Sequence, residues 1–147
     1  MPTSDLGQFI EQYHRAIDAF ARGDAEPVKK LFSRLDDVTL ANPLGPPVRG
    51  WSQVEQATDH AASLVREGEL VSVESISENE TVDFAYNLEI ERVRTKAGTS
   101  DDFAEAALRV TTIFRREAGE WRIVHRHADP ISAPRPIESL LETRHAE

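Results

Sequence analysis

Two histidines and an arginine alternate along the last predicted strand of this 147-residue chain, Gly119-Glu-Trp-Arg-Ile-Val-His-Arg-His-Ala-Asp-Pro130. Because successive side chains of a strand point to opposite faces of the sheet, His125 and His127 share one face and Arg126 lies on the other. Paired imidazoles favour metal binding or acid–base catalysis, whereas a guanidinium favours recognition of a carboxylate or a similar anion. The chemistry predicted for this strand therefore depends on which face lines a cavity.

The composition argues against several classes of function. Twenty-six acidic residues against 17 basic ones give a net charge of -9, which disfavours binding to nucleic acid or to an anionic membrane. The chain has no cysteine, so disulfides and thiol nucleophiles are excluded. The sequence contains neither a signal peptide pattern nor an apolar run of membrane-spanning length. We therefore expect a soluble, cytoplasmic protein.

The spacing of apolar residues predicts three helices followed by a long antiparallel meander. Helical periodicity covers residues 4–22, a short second helix follows residue 24, and a third runs over about 52–66. A short strand is predicted at 38–41, before the third helix. Four further strands are predicted over residues 70–76, 82–93, 103–116 and 121–128. This order of elements is typical of an α+β domain with its helices packed on one face of a sheet.

The length of the chain is sufficient for one domain with a single hydrophobic core, which we assign to residues 1–129. Residues 130–147 form a tail interrupted by prolines. The tail contains a short amphipathic segment with Ile137, Leu140 and Leu141. This segment either docks as a short helix, on the domain or on a partner, or frays.

The order of these elements and the segments 37–45, 48–50 and 121–127 resemble the nuclear transport factor 2-like superfamily. Within that superfamily the chain is most similar to SnoaL-like proteins and ketosteroid isomerases, over roughly residues 5–129. The resemblance implies a curved antiparallel sheet that wraps as a cone around three N-terminal helices. It also implies a pocket at the open end of the cone and, usually, a homodimer.

The resemblance assigns side chains to the pocket and to the opposite face of the sheet. Arg126 is expected inside, and Asn42, Tyr86, Thr112, Tyr13 and Trp51 are the other ligand-binding candidates. The expected pocket lining consists of Phe20, Phe84, Leu88, Leu108, Val110, Val124 and Ala128. The outer face is expected to carry the dimer contacts, through Glu89, Glu91, Arg109, His125 and His127. Apolar periodicity independently favours the same inner faces for the 82–93 and 103–116 strands and leaves the last strand open.

The catalytic groups of ketosteroid isomerases do not recur at the matching positions. The carboxylate base corresponds to Asn42, the tyrosine to Ala16 and the protonated acid to Thr112. An amide accepts no proton near neutral pH and alanine donates nothing, so we do not expect steroid isomerisation by that mechanism. Tyr13 lies almost one turn before Ala16 and is the nearest substitute for the missing tyrosine.

Several candidate residues have a structural alternative. Arg126 either binds a ligand, pairs with an internal carboxylate such as Asp18 or Glu89, or extends to the rim of the cone. His125 and His127 either contribute to a metal site or serve as a hydrogen-bonded pair at a subunit interface. Trp51 either covers a bound ligand or packs beside the third helix.

Three hypotheses of function follow. The first is binding of a small anionic or polar-headed apolar ligand in the cone through Arg126. The second is an isomerase, cyclase or lyase in which a histidine, His127 by preference, faces the pocket as general acid–base. The third is an assembly module whose pocket is vestigial. No sequence motif indicates a metal, a phosphate-binding loop or a nucleophilic serine, so we expect no cofactor.

Overall fold

The structure, a computed structural model, describes residues 5–131 and 133–141. It contains three helices, α1 (Asp5–Ala21), α2 (Glu26–Lys29) and α3 (Trp51–Ser63), and ends in a 3₁₀ turn, Ile137–Leu140. The strands are β1 (Thr39–Ala41), β2 (Val48–Arg49), β3 (Val65–Glu80), β4 (Phe84–Ala97), β5 (Ala104–Glu117) and β6 (Glu120–Pro130). The predicted α+β class and the order of the elements are confirmed. Residue 4, where the first helix was predicted to begin, lies outside the described residues.

The six strands form one sheet in the order β2-β1-β6-β5-β4-β3. All neighbours are antiparallel except β1 and β6, which run parallel, so the predicted antiparallel sheet contains one parallel pair. The pairing register aligns Asn87, Thr112, Arg126 and Leu40 in one row across β4, β5, β6 and β1. Since aligned residues of neighbouring strands point to the same face, these four side chains lie side by side.

The core lies between α1 and the inner face of the sheet, which is the face toward the helices. The apolar stripe predicted for α1 is buried, and Phe9 and Tyr13 contact Phe114 edge to face, with ring centroids 5.7 and 6.0 Å apart. The far end of α1 is bound to the sheet by polar contacts. Leu70 donates its backbone N–H to Asp18 at 2.8 Å, and the Thr95 hydroxyl donates to the Ala21 carbonyl at 2.9 Å.

The third helix is shorter than predicted, and β3 is longer. The helix ends at Ser63 and β3 begins at Val65, five residues before the predicted start of that strand. Gly68 lies in an irregularity of the β3–β4 pairing, and a Cβ at that position would approach the Arg94 carbonyl oxygen to 2.5 Å. The glycine therefore allows two backbones to approach closely within a bulged strand and does not terminate a helix.

The predicted amphipathic segment of the tail does not pack against the domain. Its side chains Ile137, Leu140 and Leu141 are all 65–72% exposed, so these three residues do not pack on this chain, and docking on a partner stays a prediction. The tail beyond residue 141 lies outside the described part of the chain. Within residues 5–131 and 133–141, no helix combines the length and apolar character that a membrane crossing requires.

Candidate functional site

The inner face of β4 is polar, contrary to the prediction. Ala85, Asn87, Glu89 and Glu91 are buried, whereas Phe84 and Tyr86 are 48% and 40% exposed and Leu88 is half-buried. The β4–β5 register explains the difference, because the buried inner residues Thr112 and Val110 of β5 lie opposite Asn87 and Glu89. The pocket positions expected for Phe84, Tyr86 and Leu88, and the outer positions expected for Glu89 and Glu91, are therefore wrong.

A layer of polar side chains lies between α1 and this inner face. We call it the interior polar layer. Its members are Tyr13 and His14 of α1, Asn87, Glu89 and Glu91 of β4, Thr112 of β5 and Arg126 of β6. Of the residues predicted from the sequence, the structure brings together Tyr13, Thr112 and Arg126.

Arg126 lies on the inner face and pairs with Glu91. Its two terminal nitrogens each donate to one carboxylate oxygen at 2.8 Å, and Nη1 also donates to the Tyr13 hydroxyl. The side chains of Arg126 and Glu91 are only 12% and 1% exposed. Burial alone would lower the pKa of Arg126, but the Glu91 carboxylate and Tyr13 outweigh burial and raise that pKa. The predicted pairing with an internal carboxylate is present, although the partner is Glu91 and not Asp18 or Glu89.

Tyr13, the nearest substitute for the tyrosine missing at Ala16, lies in the interior polar layer. Its hydroxyl lies 2.9 Å from Thr112 Oγ1 and accepts a hydrogen bond from Arg126. Burial raises the pKa of Tyr13 to about 12, so the phenol stays protonated at neutral pH. Tyr13 can therefore donate a hydrogen bond but does not act as a base there.

Among the histidines of the described residues, His14 reaches the inner face. Its Nε2 lies 3.0 Å from both carboxylate oxygens of Glu89, and its ring stacks beside that of Tyr13. Burial works against the charged imidazole, but the hydrogen bond to Glu89 and the charges of Glu89 and Glu91 outweigh it, so the pKa of His14 is raised. His14 was not singled out from the sequence because its partner is 75 residues away.

Asn87 is fully buried, and neither Oδ1 nor Nδ2 has a hydrogen-bond partner among the described residues. Leaving such a group unpaired costs about 1–3 kcal/mol. Proteins retain violations of this kind mainly at functional or strained sites. Asn87 lies between Ala85 and Glu89 on the same face and opposite Thr112, so it belongs to the interior polar layer.

A cavity of about 210 Å³, which we call the mouth cleft, lies between α3 and the turn that joins β1 to β2. Its lining is mostly apolar and consists of Leu40, Asn42, Leu44, Gly45, Pro46, Val48, Ala57 and His60. Asn42 Oδ1 accepts the Leu44 backbone N–H at 3.0 Å, which leaves its amide nitrogen for other contacts. Leu40 is the register neighbour of Arg126, so the cleft lies next to the strand position that carries Arg126, although Arg126 itself is not among the lining residues.

The apolar pocket candidates on α1, β5 and β6 are buried or half-buried, but none of them lines either of the two cavities described for this structure. Val110 and Ala128 are buried on the inner face, Val124 is buried at a bulge in β6, and Leu108 and Phe20 are half-buried. Trp51 packs against Phe32 with the Arg34 guanidinium 3.8 Å above its ring. That arrangement matches the packing alternative for Trp51.

The two histidines of β6 lie on the outer face with Arg109. His125 Nδ1 lies 2.7 Å from Thr39 Oγ1, and His127 is 54% exposed and 3.6 Å from Asp129. Arg109 forms a two-point ion pair with the same aspartate, at 2.7 and 3.1 Å. Since His127 points away from the core, the geometry does not place it in the interior as an acid–base group.

Comparison with known proteins identifies the family. A family model described as the SnoaL-like domain matches residues 8–134, so the chain belongs to the SnoaL-like family. No curated protein matches the sequence.

Solved structures share the fold at low sequence identity. A proposed dehydratase of the nuclear transport factor 2-like family from Streptomyces avermitilis is 18% identical, with a TM-score of 0.72 over 88% of this chain and 96% of that one. A ketosteroid isomerase-like protein from Erwinia carotovora atroseptica is 18% identical, with a TM-score of 0.72 over 89% and 97%. A proposed association domain of calcium/calmodulin-dependent protein kinase type II from Thiobacillus denitrificans is 23% identical, with a TM-score of 0.69 over 84% and 93%.

Because the Asn87 amide is unpaired, we predict that the protein is more stable with an apolar residue of the same branching at position 87. Asn87→Leu removes two unpaired polar atoms at about 1–3 kcal/mol each, against an overpacking cost of about 1–3 kcal/mol. We expect the melting temperature to rise by several degrees, at about 2–4 °C per kcal/mol. Asn79→Leu, at an exposed asparagine that donates to Tyr86, is the control and should give no rise. A clear fall for Asn87→Leu would show that the amide is paired in solution.

Proposed function

We propose that this protein binds a small, mostly apolar molecule through an uncharged carbonyl or hydroxyl oxygen at Arg126, with the apolar body in the mouth cleft. The observation that supports this most directly is the pairing of Arg126. Its guanidinium is neutralised by Glu91, and Arg126 is the register neighbour of Leu40, which lines the cleft.

The charges of the interior polar layer disfavour an anionic ligand. The layer holds two carboxylates, Glu89 and Glu91, against one guanidinium and one histidine. Its net charge is therefore at most zero, even when His14 is protonated. An added carboxylate would be desolvated close to Glu91 with no uncompensated cation to offset the cost. Of the two kinds of head group expected from the sequence, the uncharged one is better supported.

Arg126 retains donors for such a head group. An arginine has five N–H donors, and three of those of Arg126 are directed at Glu91 and Tyr13. The two others, one on Nε and one on Nη2, can donate to a ligand oxygen. An oxygen with lone pairs and no charge accepts both without competing with the ion pair.

The mouth cleft limits the size of the ligand. A volume of about 210 Å³ lies below the usual range of about 300–1,000 Å³ for sites that hold drug-sized molecules. The apolar lining favours a hydrocarbon body, and the Asn42 amide nitrogen offers one polar contact at the rim. A ring of about six carbon atoms with one oxygen substituent is the class we expect.

A matched set of six-membered-ring probes tests this proposal. We expect cyclohexanone and cyclohexanol to raise the melting temperature and cyclohexanecarboxylate to have little effect. Arg126→Lys keeps a cation beside Glu91 but loses the planar arrangement of donors, so the shift should shrink by at least half. Arg109→Lys is the matched control because Arg109 makes a similar two-point ion pair on the outer face.

Two results of this set would contradict the proposal. One is a larger shift with the carboxylate than with the ketone or the alcohol. The other is an equal loss of shift in Arg126→Lys and Arg109→Lys, because the effect would then be unrelated to the interior.

The His14–Glu89 pair favours a second candidate function, proton transfer to or from a bound substrate. A carboxylate-held imidazole is a common general acid–base, and isomerisation and dehydration, the reactions named for two structural neighbours, both require proton transfer. The same probes distinguish this candidate from simple binding. Exchange of the hydrogens beside the carbonyl of cyclohexanone in D₂O, lost in His14→Gln, would favour an enzyme. Binding without exchange favours the first candidate.

We also propose a homodimer through the outer sheet face, with a second copy of the chain covering Phe84, Tyr86 and Leu88. These side chains lie beside Thr111 and Ile113 in the β4–β5 pairing, in line with Arg109, His125 and His127. Sedimentation velocity should give twice the mass of one chain, and Phe84→Glu should give the monomer. Leu44→Glu, an exposed leucine on the β1–β2 turn, is the control. A monomeric wild-type protein would overturn this assignment.

A further inference from the structure

A second concave site lies beside the N-terminal half of α1, on residues that precede Tyr13 and His14 of the interior polar layer. This groove, which we call the hairpin groove, has a volume of about 470 Å³ and runs between the first turns of α1, the end of α2 and the β5–β6 hairpin. Its volume lies within the usual range for small-molecule sites. None of the functions considered above uses it.

The floor of the hairpin groove is apolar. Phe9, Leu31 and Trp121 line it and are 9%, 3% and 4% exposed. The Trp121 ring has the Arg116 guanidinium 4.4 Å from its centroid, which holds the indole in place. A small planar or aliphatic body can rest on such a floor.

Two polar groups of the hairpin groove, on Trp121 and Lys30, can only donate hydrogen bonds. The Trp121 Nε1–H is buried and has no acceptor within the described part of the chain. The Lys30 ammonium and the Gln12 side chain line the same groove. A buried indole N–H without an acceptor is rare in folded proteins, so it points to an acceptor supplied from outside the chain.

The carboxylates of the hairpin groove are already engaged by its arginines. Glu120 accepts from Arg122 at 2.8 Å, and Asp5 lies 3.9 Å from Arg116. Lys30 therefore adds a positive charge that neither carboxylate balances. The lining carries a net positive charge in a protein whose overall charge is -9.

We propose that the hairpin groove binds a small oxyanion carried on an apolar body, with the anion at Lys30 and the Trp121 N–H and the body on the apolar floor. A carboxylate and a phosphate ester share this chemistry. The site is separate from Arg126. It favours an anion, whereas the interior polar layer disfavours one.

The chain's two tryptophans allow a direct test. In ¹H–¹⁵N spectra the indole N–H signal of Trp121 is identified by the loss of the other signal in Trp51→Phe. We expect phenyl phosphate or benzoate to shift the Trp121 signal in a saturable way at concentrations up to about 10 mM, and benzyl alcohol to leave it in place. The anion that binds with the higher affinity identifies the preferred head group. Arg126→Lys should not change this binding, so the test is independent of the interior site.

Charge reversal at the rim of the groove is the matched variant. Lys30→Glu should weaken anion binding about fivefold or more, because it replaces an attractive contact with a repulsive one. Arg15→Glu makes the same reversal of charge at an exposed position of α1 outside the groove. It should leave the affinity unchanged. No shift of the Trp121 signal with either anion, an equal shift with benzyl alcohol, or equal affinities of the two variants would overturn the proposal.

Discussion

The ion pair between Arg126 and Glu91 is the interaction on which the interior of this protein depends. Both groups are removed from water, and a buried charge without its partner is strongly destabilising. The pair therefore requires that the acidic face of β4 points inward and that β6 directs Arg126 inward as well. Because each strand alternates, the same constraint directs Phe84 and Tyr86 outward, together with His125 and His127.

This reversal gives the two sides of the sheet different roles. On the inner face, each carboxylate of β4 already has a partner, His14 of α1 for Glu89 and Arg126 of β6 for Glu91, which is why we propose an uncharged head group there. The outer face has the exposed aromatic side chains that a second subunit can cover. The hairpin groove differs from both because its lining carries a net positive charge and an unpaired indole N–H. Three surfaces of one small domain are thereby suited to three kinds of partner.

The sequence predicts the elements better than it predicts the inner face. The apolar stripe of α1 and the alternation of β5 are each visible within one segment, and the family resemblance correctly directs Arg126 inward. For β4 both faces carry large or charged residues, so local alternation gives the wrong side. The deciding contacts join Glu89 to His14 and Glu91 to Arg126, which are 75 and 35 residues apart. The periodicity of a single strand does not reveal such pairs, because the two partners lie on different elements.

A double-mutant cycle on Glu91 and Arg126 tests the central claim most directly. Chemical unfolding is measured for Glu91→Leu, Arg126→Met and the double variant. Each single change should lower the free energy of unfolding by about 3–5 kcal/mol, because it leaves an unpaired buried charge. The double variant should lie close to the wild type or above it, since the two apolar side chains occupy the same space without a desolvation cost. Small and additive effects of the two single changes would contradict a buried pair and the inward orientation of β4.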